Sequence, residues 1–388
     1  MNCTANLFWI SLAIVIYSYI GYGLLIWLLN KVMPKKSEQF DESFEPTVAL
    51  VVPCFNEAAY IETKILNSLQ LRYPKEKLQL IFVSDGSSDE TPEIIKKYPQ
   101  VMALHEPARK GKAAAMNRSM QYVKSEIVVF CDANTDLNPE AIQEMVKHYQ
   151  FDNVGAVTGE KQIAIRNKEN ASAAGEGIYW KYESFLKQMD SDFYSIVGAA
   201  GELMSYRTNL YKPLPEDTLL DDLMQSMGVA LAGHRVVYEK KALAIETASA
   251  NVHEELKRKV RIAAGAWQSM FRLKSAFNPF HEPKVFFLFL SHRVSRWTFA
   301  PLSLLVVLLT NAILCLQGKG LLFDVLMLLQ VLFYAFALLG WYLENRQIKI
   351  KILFVPYYFF IMNLCMYLGF VKYIRGKQSA NWERAKRA

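Results

Sequence analysis

The sequence predicts an α/β domain built on a doubly wound, mostly parallel sheet and flanked at both ends by transmembrane helices. Four short apolar runs are continuous rather than alternating, which is typical of parallel strands covered on both faces. They span 47–53, 78–85, 101–107 and 127–132. Helical patterns follow them, and we expect Asn56 and Asn138 to cap two of these helices. This strand–helix repetition predicts the doubly wound sheet.

The first membrane segment is residues 7–29, which carry no charge and exceed the length of about 20 residues that a bilayer requires. A cleaved signal peptide is disfavoured because a basic n-region and a small-residue cleavage site are missing. Three lysines follow the segment and predict that the next region is cytoplasmic: Lys31, Lys35 and Lys36. We therefore expect an uncleaved anchor over 1–32 and a cytoplasmic domain over 45–270, in a multi-pass protein of the inner membrane.

Three apolar runs close the sequence, over 298–316, 321–343 and 352–371. They define a predicted membrane region over 298–375, followed by a basic tail over 376–388. Four full spans from an outside N-terminus would leave this tail outside, against the positive-inside rule. Either one run is re-entrant or the N-terminus is inside, and 352–371 is the candidate for the irregular run because it contains Pro356 and Asn363.

An interfacial segment is expected over 271–297. Within it, 284–297 mixes Phe and Leu with His292, Arg293 and Arg296. This mixture favours a helix lying in the membrane interface. The alternative is a polar entry into the next span.

Composition supports a mixed protein, since 52% of the 388 residues are hydrophobic and 21% are charged. The net charge of +7 suits anionic phosphates or a lipid surface, although basic loops around membrane spans explain much of it. The five cysteines form no C-x-x-C pair. A disulfide framework or a zinc site is therefore disfavoured.

Polar residues follow three of the predicted strands, over 54–57, 84–89 and 132–134. In a parallel sheet these strand ends meet at one edge, where ligands bind. A cluster of carboxylates needs a counter-charge, and a divalent cation shared with a diphosphate supplies one. The alternative for any single Asp is a helix cap or a turn.

The order and spacing of these motifs, between membrane spans, resemble family 2 glycosyltransferases of the GT-A fold. The resemblance extends to the membrane-embedded branch that contains cellulose, hyaluronan and poly-N-acetylglucosamine synthases. It implies that Glu57 and Asp85 contact the uridine or ribose of the donor. The stretch 108–117 resembles the basic G-K-x-x-A-x-N motif of the family, which implies that Lys112 faces the phosphates and that Asn117 places the base or ribose. A solvated basic loop is the alternative for this stretch.

Asp132-Ala133-Asn134 stands where the family has D-x-D. The resemblance implies that Asp132 binds the diphosphate together with Mg²⁺ or Mn²⁺. Asn134 replaces the second acid with a neutral oxygen donor and is the second expected metal ligand. Asp136 is either a compensating ligand or a turn residue.

Residues 198–207 resemble the glycine-rich acceptor segment of the family, which implies acceptor contacts for Glu202 and Arg207. These two side chains could equally pair with each other. The family also has an acidic pair that contains the general base, and two pairs compete for this role: Glu216-Asp217 and Asp221-Asp222. We choose Asp222 because a helical stretch follows it, with Asp221 as the neighbour that raises its pKa. Charge compensation at a helix start is the alternative.

The Q-x-x-R-W motif of polymerising members matches Arg258-Lys259-Val260-Arg261-Ile262. The resemblance implies that Arg261 holds the departing diphosphate and that Arg258 contacts the acceptor. The Gln and Trp of the motif are replaced, and Trp267 lies five residues beyond Ile262. An aromatic ring at the Trp position stacks on the acceptor sugar, so its replacement disfavours processive polymerisation.

The resulting hypothesis is a membrane-bound inverting glycosyltransferase that uses a nucleotide-diphosphate sugar, with a UDP-sugar as the expected donor. The expected acceptor is a glycan or a lipid-linked molecule, in cell-surface or extracellular polysaccharide synthesis. Membrane lipid is an expected partner and nucleic acid is not. The alternatives are transfer of one sugar to a polyprenyl phosphate or lipid, and a catalytically silent transport or assembly subunit. A sugar-phosphate nucleotidyltransferase is disfavoured because the first strand end, 51–58, lacks a glycine-rich basic loop.

Overall fold

The computed structural model describes residues 3–33, 39–164, 171–247, 252–346, 348 and 350–376. Lys35, Lys36 and nearly all of the predicted basic tail lie outside the described residues. The strands are β1 Val48–Cys54, β2 Leu78–Asp85, β3 Met102–Glu106, β4 Ile127–Cys131, β5 Thr135–Leu137, β6 Val154–Ala164, β7 Leu203–Arg207 and β8 Arg235–Thr247. The helices are α1 Cys3–Val32, α2 Ile61–Leu69, α3 Thr91–Lys96, α4 Lys112–Ser119, α5 Ala141–Val146, α6 Ala171–Phe193, α7 Asp221–Leu231, α8 Val252–Arg272, α9 Pro283–Leu316, α10 Leu321–Asn345 and α11 Lys351–Ile374.

The eight strands form one sheet in the order β3-β2-β1-β4-β7-β6-β8-β5. Parallel pairs join β3, β2, β1 and β4, and β6 is parallel to β8. The pairs β4–β7, β6–β7 and β5–β8 are antiparallel. The predicted doubly wound, mostly parallel α/β sheet is confirmed, with β7 as the strand that reverses direction at its centre.

Both faces of the central strands are buried, which explains their uninterrupted apolar sequences. All seven residues of β1 are buried. Leu50 packs on one side with Ile61 and Ile65 of α2. Val51 packs on the other side, in the core that also contains Val285 of α9. Because burial of a large aliphatic side chain contributes about 1.5–3 kcal/mol, both layers stabilise the sheet.

The two predicted helix caps are wrong. Helix α2 begins at Ile61 and α5 at Ala141, and neither start has a side-chain cap. The Asn56 side chain instead accepts a hydrogen bond from the Ser88 amide at 2.8 Å. The Asn138 side chain accepts one from the Leu243 amide at 2.8 Å. Both asparagines therefore join segments that are distant in sequence.

Among the described residues, four helices are long and apolar enough to cross a membrane, which indicates a membrane protein. They are Cys3–Val32, Pro283–Leu316, Leu321–Asn345 and Ile352–Ile374. The predicted irregular run is wrong, because Lys351–Ile374 is one continuous helix with Pro356 inside it. The predicted interfacial segment is also different, since 284–297 is the first part of a helix that continues to Leu316. His292 is buried there rather than exposed to a membrane interface.

Candidate active site

The carboxyl ends of β1, β2 and β4 lie side by side at one edge of the sheet. The strand register pairs Cys54 with Ser84 and Val51 with Phe130. Residues that follow these strands therefore meet at this edge, as expected for parallel strands. Three of them are buried or partly buried acids: Glu57, Asp85 and Asp132.

Lys112 is the central cation of the site. It is the first residue of α4, directly after Gly111, whose φ is 95°. Its Nζ lies 2.7 Å from Asp132 Oδ1 and 3.4 Å from Asp221 Oδ2, and it donates a 3.3 Å hydrogen bond to the Gly201 carbonyl. Burial opposes the charge of Lys112, but the Asp132 and Asp221 carboxylates raise its pKa above the ordinary value. Lys112 therefore holds two strands and a helix around a fixed positive charge.

The turn formed by residues 198–202, called here the 198–202 turn, connects the acids. The Glu202 carbonyl accepts a 3.3 Å hydrogen bond from the Asp132 amide. A Cβ on Gly201 would lie 3.2 Å from Asp222 Oδ2, so glycine allows the backbone to approach that carboxylate closely. The turn consequently brings Asp132, Lys112 and Asp222 into one site.

Asp222 lies in the first turn of α7, and its Oδ1 accepts a 2.8 Å hydrogen bond from the Leu223 amide. Burial is the largest cause that raises the Asp222 pKa to about 7, and the negative charge of Asp221 is the second. Lys112 opposes this shift. A carboxyl group with a pKa near neutrality can accept a proton in catalysis.

The competing acidic pair lies on the surface. The Asp217 side chain is 69% exposed and pairs with Arg272 at 2.5 Å. Glu216 is also exposed. Asp221 and Asp222 are only partly exposed, so the geometry favours them as the functional pair.

Asp85 shapes the loop before Lys112. Its Oδ2 accepts hydrogen bonds from the amides of Lys110 at 3.0 Å and Gly111 at 2.6 Å. Its Oδ1 lies 3.3 Å from Arg118 Nη2. A nucleotide contact through Asp85 would share oxygens that already bind this loop.

Glu202 pairs with Lys161 at 2.5 Å, and not with Arg207. Burial would raise the pKa of Glu202, but Lys161 and, more weakly, Arg258 lower it to about 2. Glu202 is therefore ionised at neutral pH. Arg258 therefore lies close enough to Glu202 for its charge to act on this carboxylate.

One face of α8 carries the two arginines of the altered motif. Residues at spacings of three or four share this face: Arg258, Arg261, Gly265, Gln268 and Arg272. Gln268 Oε1 accepts a hydrogen bond from the Leu219 amide at 3.0 Å. A Cβ on Gly265 would lie 2.6 Å from Leu220 Cγ. These contacts place this face of α8 against Leu219 and Leu220, the two residues that precede α7.

Both polar atoms of the Asn117 side chain form hydrogen bonds within the protein, away from the expected contact with the sugar donor. Its Nδ2 donates to the Leu214 carbonyl at 2.7 Å. Its Oδ1 accepts from Tyr211 Oη at 2.8 Å and from the Leu214 amide at 3.0 Å. The structure therefore gives Asn117 the role of holding the 211–214 segment, in place of the expected donor contact.

Arg207 lies at the opposite end of the sheet from the site. The antiparallel register pairs it with Ile127, the first residue of β4, whereas Leu203 pairs with Cys131 beside Asp132. Arg207 donates to the carbonyls of Val154 at 2.8 Å, Tyr149 at 2.8 Å and Phe151 at 3.0 Å. Its expected acceptor contact is incompatible with this position, and its role is structural.

Arg207→Lys is expected to destabilise the domain by about 1–3 kcal/mol, since partly buried carbonyls lose hydrogen bonds. Thermal unfolding in detergent measures this loss. The KM for the acceptor should stay unchanged in the folded enzyme. A raised acceptor KM without a loss of stability would return Arg207 to the acceptor site.

Lys64 is a site-supporting residue that the sequence analysis missed. It is 1% exposed, and its Nζ donates to the Thr135 carbonyl at 2.6 Å and to Cys131 Sγ at 3.1 Å. These partners flank the triplet 132–134. The available signal was a lysine at the core-facing helical positions shared by Ile61, Ile65 and Ser68.

The expected oxygen donors for a cation are Asp132 and the side chain of Asn134. Within the described residues, no group of three or more His, Cys, Asp or Glu side chains could hold a metal ion. Mg²⁺ is commonly bound by one or two protein oxygens together with phosphate oxygens and water. The donor set therefore fits a cation that is bound together with a diphosphate, rather than an all-protein metal site.

Comparison with known proteins identifies the domain. Residues 49–214 match the model of glycosyl transferase family 2. The chain contains a family 2 glycosyltransferase domain. The predicted family and enzyme class are thereby confirmed. The matched segment of the glycosyltransferase includes the donor-side acids and ends before Asp221 and Asp222.

The curated relatives are bacterial synthases. Poly-beta-1,6-N-acetyl-D-glucosamine synthase of Staphylococcus aureus (strain COL) is 28% identical over 236 residues, which cover 58% of this chain and 56% of the relative. The Staphylococcus epidermidis synthase of the same name is 26% identical over 233 residues, with the same coverage. The glycosyltransferase thus matches little more than half the length of these relatives.

A solved structure shares the fold of nearly the whole chain. The mannosyltransferase PcManGT from Pyrobaculum calidifontis, in complex with GDP-Man and Mn2+, aligns with a TM-score of 0.72 and 22% identity. The alignment covers 96% of this chain and 100% of that chain. Together with the family match, it confirms the GT-A-type fold of the glycosyltransferase.

Proposed function

We propose that this glycosyltransferase moves a sugar from a nucleotide-diphosphate donor, a UDP-sugar, to a hydroxyl group of a glycan or lipid-linked acceptor, with inversion at the anomeric carbon. The observation that carries the proposal is the meeting of Asp132, Lys112 and Asp222 at the 198–202 turn. A cation and a carboxyl group with raised pKa thereby lie against the same glycine of the turn, Gly201. This pairing supplies charge stabilisation and a base for the same transfer.

Asp222 is the proposed general base. It accepts the proton of the acceptor hydroxyl, whose oxygen attacks the anomeric carbon opposite the diphosphate. Lys112 and Arg261 offset the charge that develops on the leaving diphosphate. Glu57 and Asp85 position the donor, and Glu202 and Arg258 bind the acceptor.

Asp132 and Asn134 are the proposed ligands of Mg²⁺ or Mn²⁺. When bound, the cation neutralises negative charge on the diphosphate. Lys112 already stabilises the Asp132 carboxylate at 2.7 Å. We propose that Lys112 also contacts the phosphates when the donor binds.

The catalytic domain is proposed to be cytoplasmic, in a multi-pass inner-membrane protein, because Lys31 lies in the last turn of the first candidate span, Cys3–Val32. This location gives the domain access to nucleotide sugars and leaves the acceptor at the bilayer surface. Similarity to poly-N-acetylglucosamine synthases supports a role in extracellular polysaccharide synthesis.

A second candidate is transfer of a single sugar to a polyprenyl phosphate or lipid. It is favoured by the loss of the motif Trp at Ile262. Trp267 does not replace that ring, because its Nε1 donates to the Met366 carbonyl at 3.1 Å within the interface with α11. Product length distinguishes the two candidates.

A donor screen on the purified protein in detergent tests the proposal. UDP-sugars and GDP-sugars are supplied with Mn²⁺, and nucleotide release and product mass are measured. We expect release of UDP and a product that carries the donor sugar. Absence of turnover with every donor, in protein that binds UDP, would instead support a silent transport or assembly subunit.

The activity is expected to fall as the pH decreases through about 7. The ionised form of Asp222 is the active base, and its pKa is raised to about 7 first by burial and then by Asp221. Asp221→Asn removes the second cause, so the acidic limb of the kcat profile should shift to lower pH. If the acidic limb is unchanged in Asp221→Asn, the pH dependence of kcat does not reflect the ionisation of Asp222.

A further inference from the structure

A buried charge cluster joins the membrane helix α9 to the catalytic domain. Its members come from α1, α6 and α9: Tyr22, Glu183, Asp190, His292, Arg293 and Arg296. Asp190 accepts a hydrogen bond from Tyr22 Oη at 2.5 Å and lies 2.5 Å from His292 Nδ1. Glu183 lies 2.7 Å from Arg293 Nη1 and 3.0 Å from Arg296 Nη1. The cluster therefore contains two acids of α6 surrounded by groups of two candidate spans.

Arg293 extends this cluster to the 198–202 turn. Its Nε donates to the Val197 carbonyl at 2.8 Å, and its Nη2 donates to the Gly198 carbonyl at 3.2 Å. One planar guanidinium thus binds an acid of α6 and the backbone at the start of the turn. The rigid fork of arginine suits this arrangement, whereas the single ammonium of lysine does not.

The backbone that Arg293 binds leads directly to the proposed base. Gly198 has a φ of 117°, a backbone conformation that residues other than glycine rarely adopt. Three residues later, the Gly201 carbonyl binds Lys112 and the Gly201 backbone packs on the Asp222 carboxylate. A shift at Val197 and Gly198 would therefore move the Gly201 backbone, which contacts both Lys112 and Asp222.

The contacts to the turn are additional to charge pairing within the cluster. Burial would raise the pKa of Glu183, and the charges of Arg293, His292 and Arg296 lower it well below the ordinary value. Arg296 pairs with the second oxygen of the same carboxylate. The region 289–299 is also π-helical, a form that is frequent at functional sites.

We propose that Arg293 is a positioning residue, through which the membrane helix α9 sets the 198–202 turn against Asp222 and Lys112. The proposal rests on the proposed transferase function. In this proposal, a residue of a candidate membrane span aligns the catalytic groups through the turn rather than by contacting substrate.

The test compares Arg293→Gln with Arg296→Gln in the full-length protein in detergent. Both variants remove one ion pair with Glu183, and Arg293→Gln also removes the hydrogen bonds to the carbonyls of Val197 and Gly198, at the start of the turn. We expect kcat to fall about 10- to 100-fold in Arg293→Gln, with donor KM and UDP affinity unchanged, because small misplacements of reacting groups have effects of this size. Arg296→Gln should keep a kcat near the wild-type value. Equal kcat losses in the two variants would overturn the proposal.

A readout independent of turnover separates this proposal from the proposed function. Hydrogen exchange of the peptide that contains Ala200 and Leu203 should accelerate in Arg293→Gln and not in Arg296→Gln, even if no donor is turned over. If Arg293→Gln does not fold, Arg293→Lys replaces it, since this variant keeps the charge beside Glu183. Wild-type kcat and wild-type exchange of the turn in Arg293→Lys would reject the positioning role.

Discussion

Asp222→Asn is expected to lower kcat by about 10²- to 10⁴-fold, the usual contribution of a general base. The amide keeps the shape of the side chain but cannot accept the acceptor proton. UDP affinity should remain close to the wild-type value, because the proposed donor contacts lie on other segments. Single-turnover rates and equilibrium UDP binding on the same preparation measure the two effects separately.

Asp217→Asn is the matched control for this prediction. Asp217 belongs to the other acidic pair, and its exposed carboxylate pairs with Arg272. We expect this variant to retain kcat. Normal turnover by Asp222→Asn would remove Asp222 from the chemistry, and a large kcat loss in Asp217→Asn would make the first pair the candidate.

The central sheet could be predicted because the pattern that specifies it is local. A strand covered on both faces needs an uninterrupted apolar run, and β1 and β4 are apolar at every position, as is β2 from Leu80 to Val83. The helix caps could not be predicted in the same way. Asn56 and Asn138 have the correct residue type for a cap, but their side chains bind Ser88 and Leu243 across the fold.

The acidic part of the site follows from chain direction. Parallel strands bring their carboxyl ends together, so Asp85 and Asp132 were correctly expected at one edge. The same argument fails for Arg207, because β7 runs antiparallel to β4. Four residues after Leu203 the chain has crossed the sheet, and a residue next to the glycine-rich motif in sequence lies far from it in space.

Tertiary burial explains why the polar residues of α9 were misinterpreted. Arginine and histidine among Phe and Leu are typical of a membrane interface. In the structure, His292 is 1% exposed, and Arg293 and Arg296 pair with Glu183. The partners are distant in sequence: Glu183 lies 113 residues before Arg296, and Asp190 lies 102 residues before His292. A local pattern contains no information about such partners.

Asp132→Ala is expected to weaken UDP binding in the presence of Mn²⁺ by about 10- to 100-fold, as is typical when a group that supports a metal is removed. The variant removes the proposed carboxylate ligand and leaves Lys112 beside Asp221, which lies 3.4 Å away in the wild type. Binding is measured by titration calorimetry with and without a chelator. Chelation should weaken UDP binding to the wild type and have little further effect on Asp132→Ala, because the two changes act on one interaction.

Asp136→Ala is the matched control, since Asp136 is exposed on β5 and is the compensating ligand that the sequence also allows. If chelation weakens both Asp132→Ala and the wild type equally, Asp132 is not the metal ligand, and a loss confined to Asp136→Ala would transfer that role to Asp136.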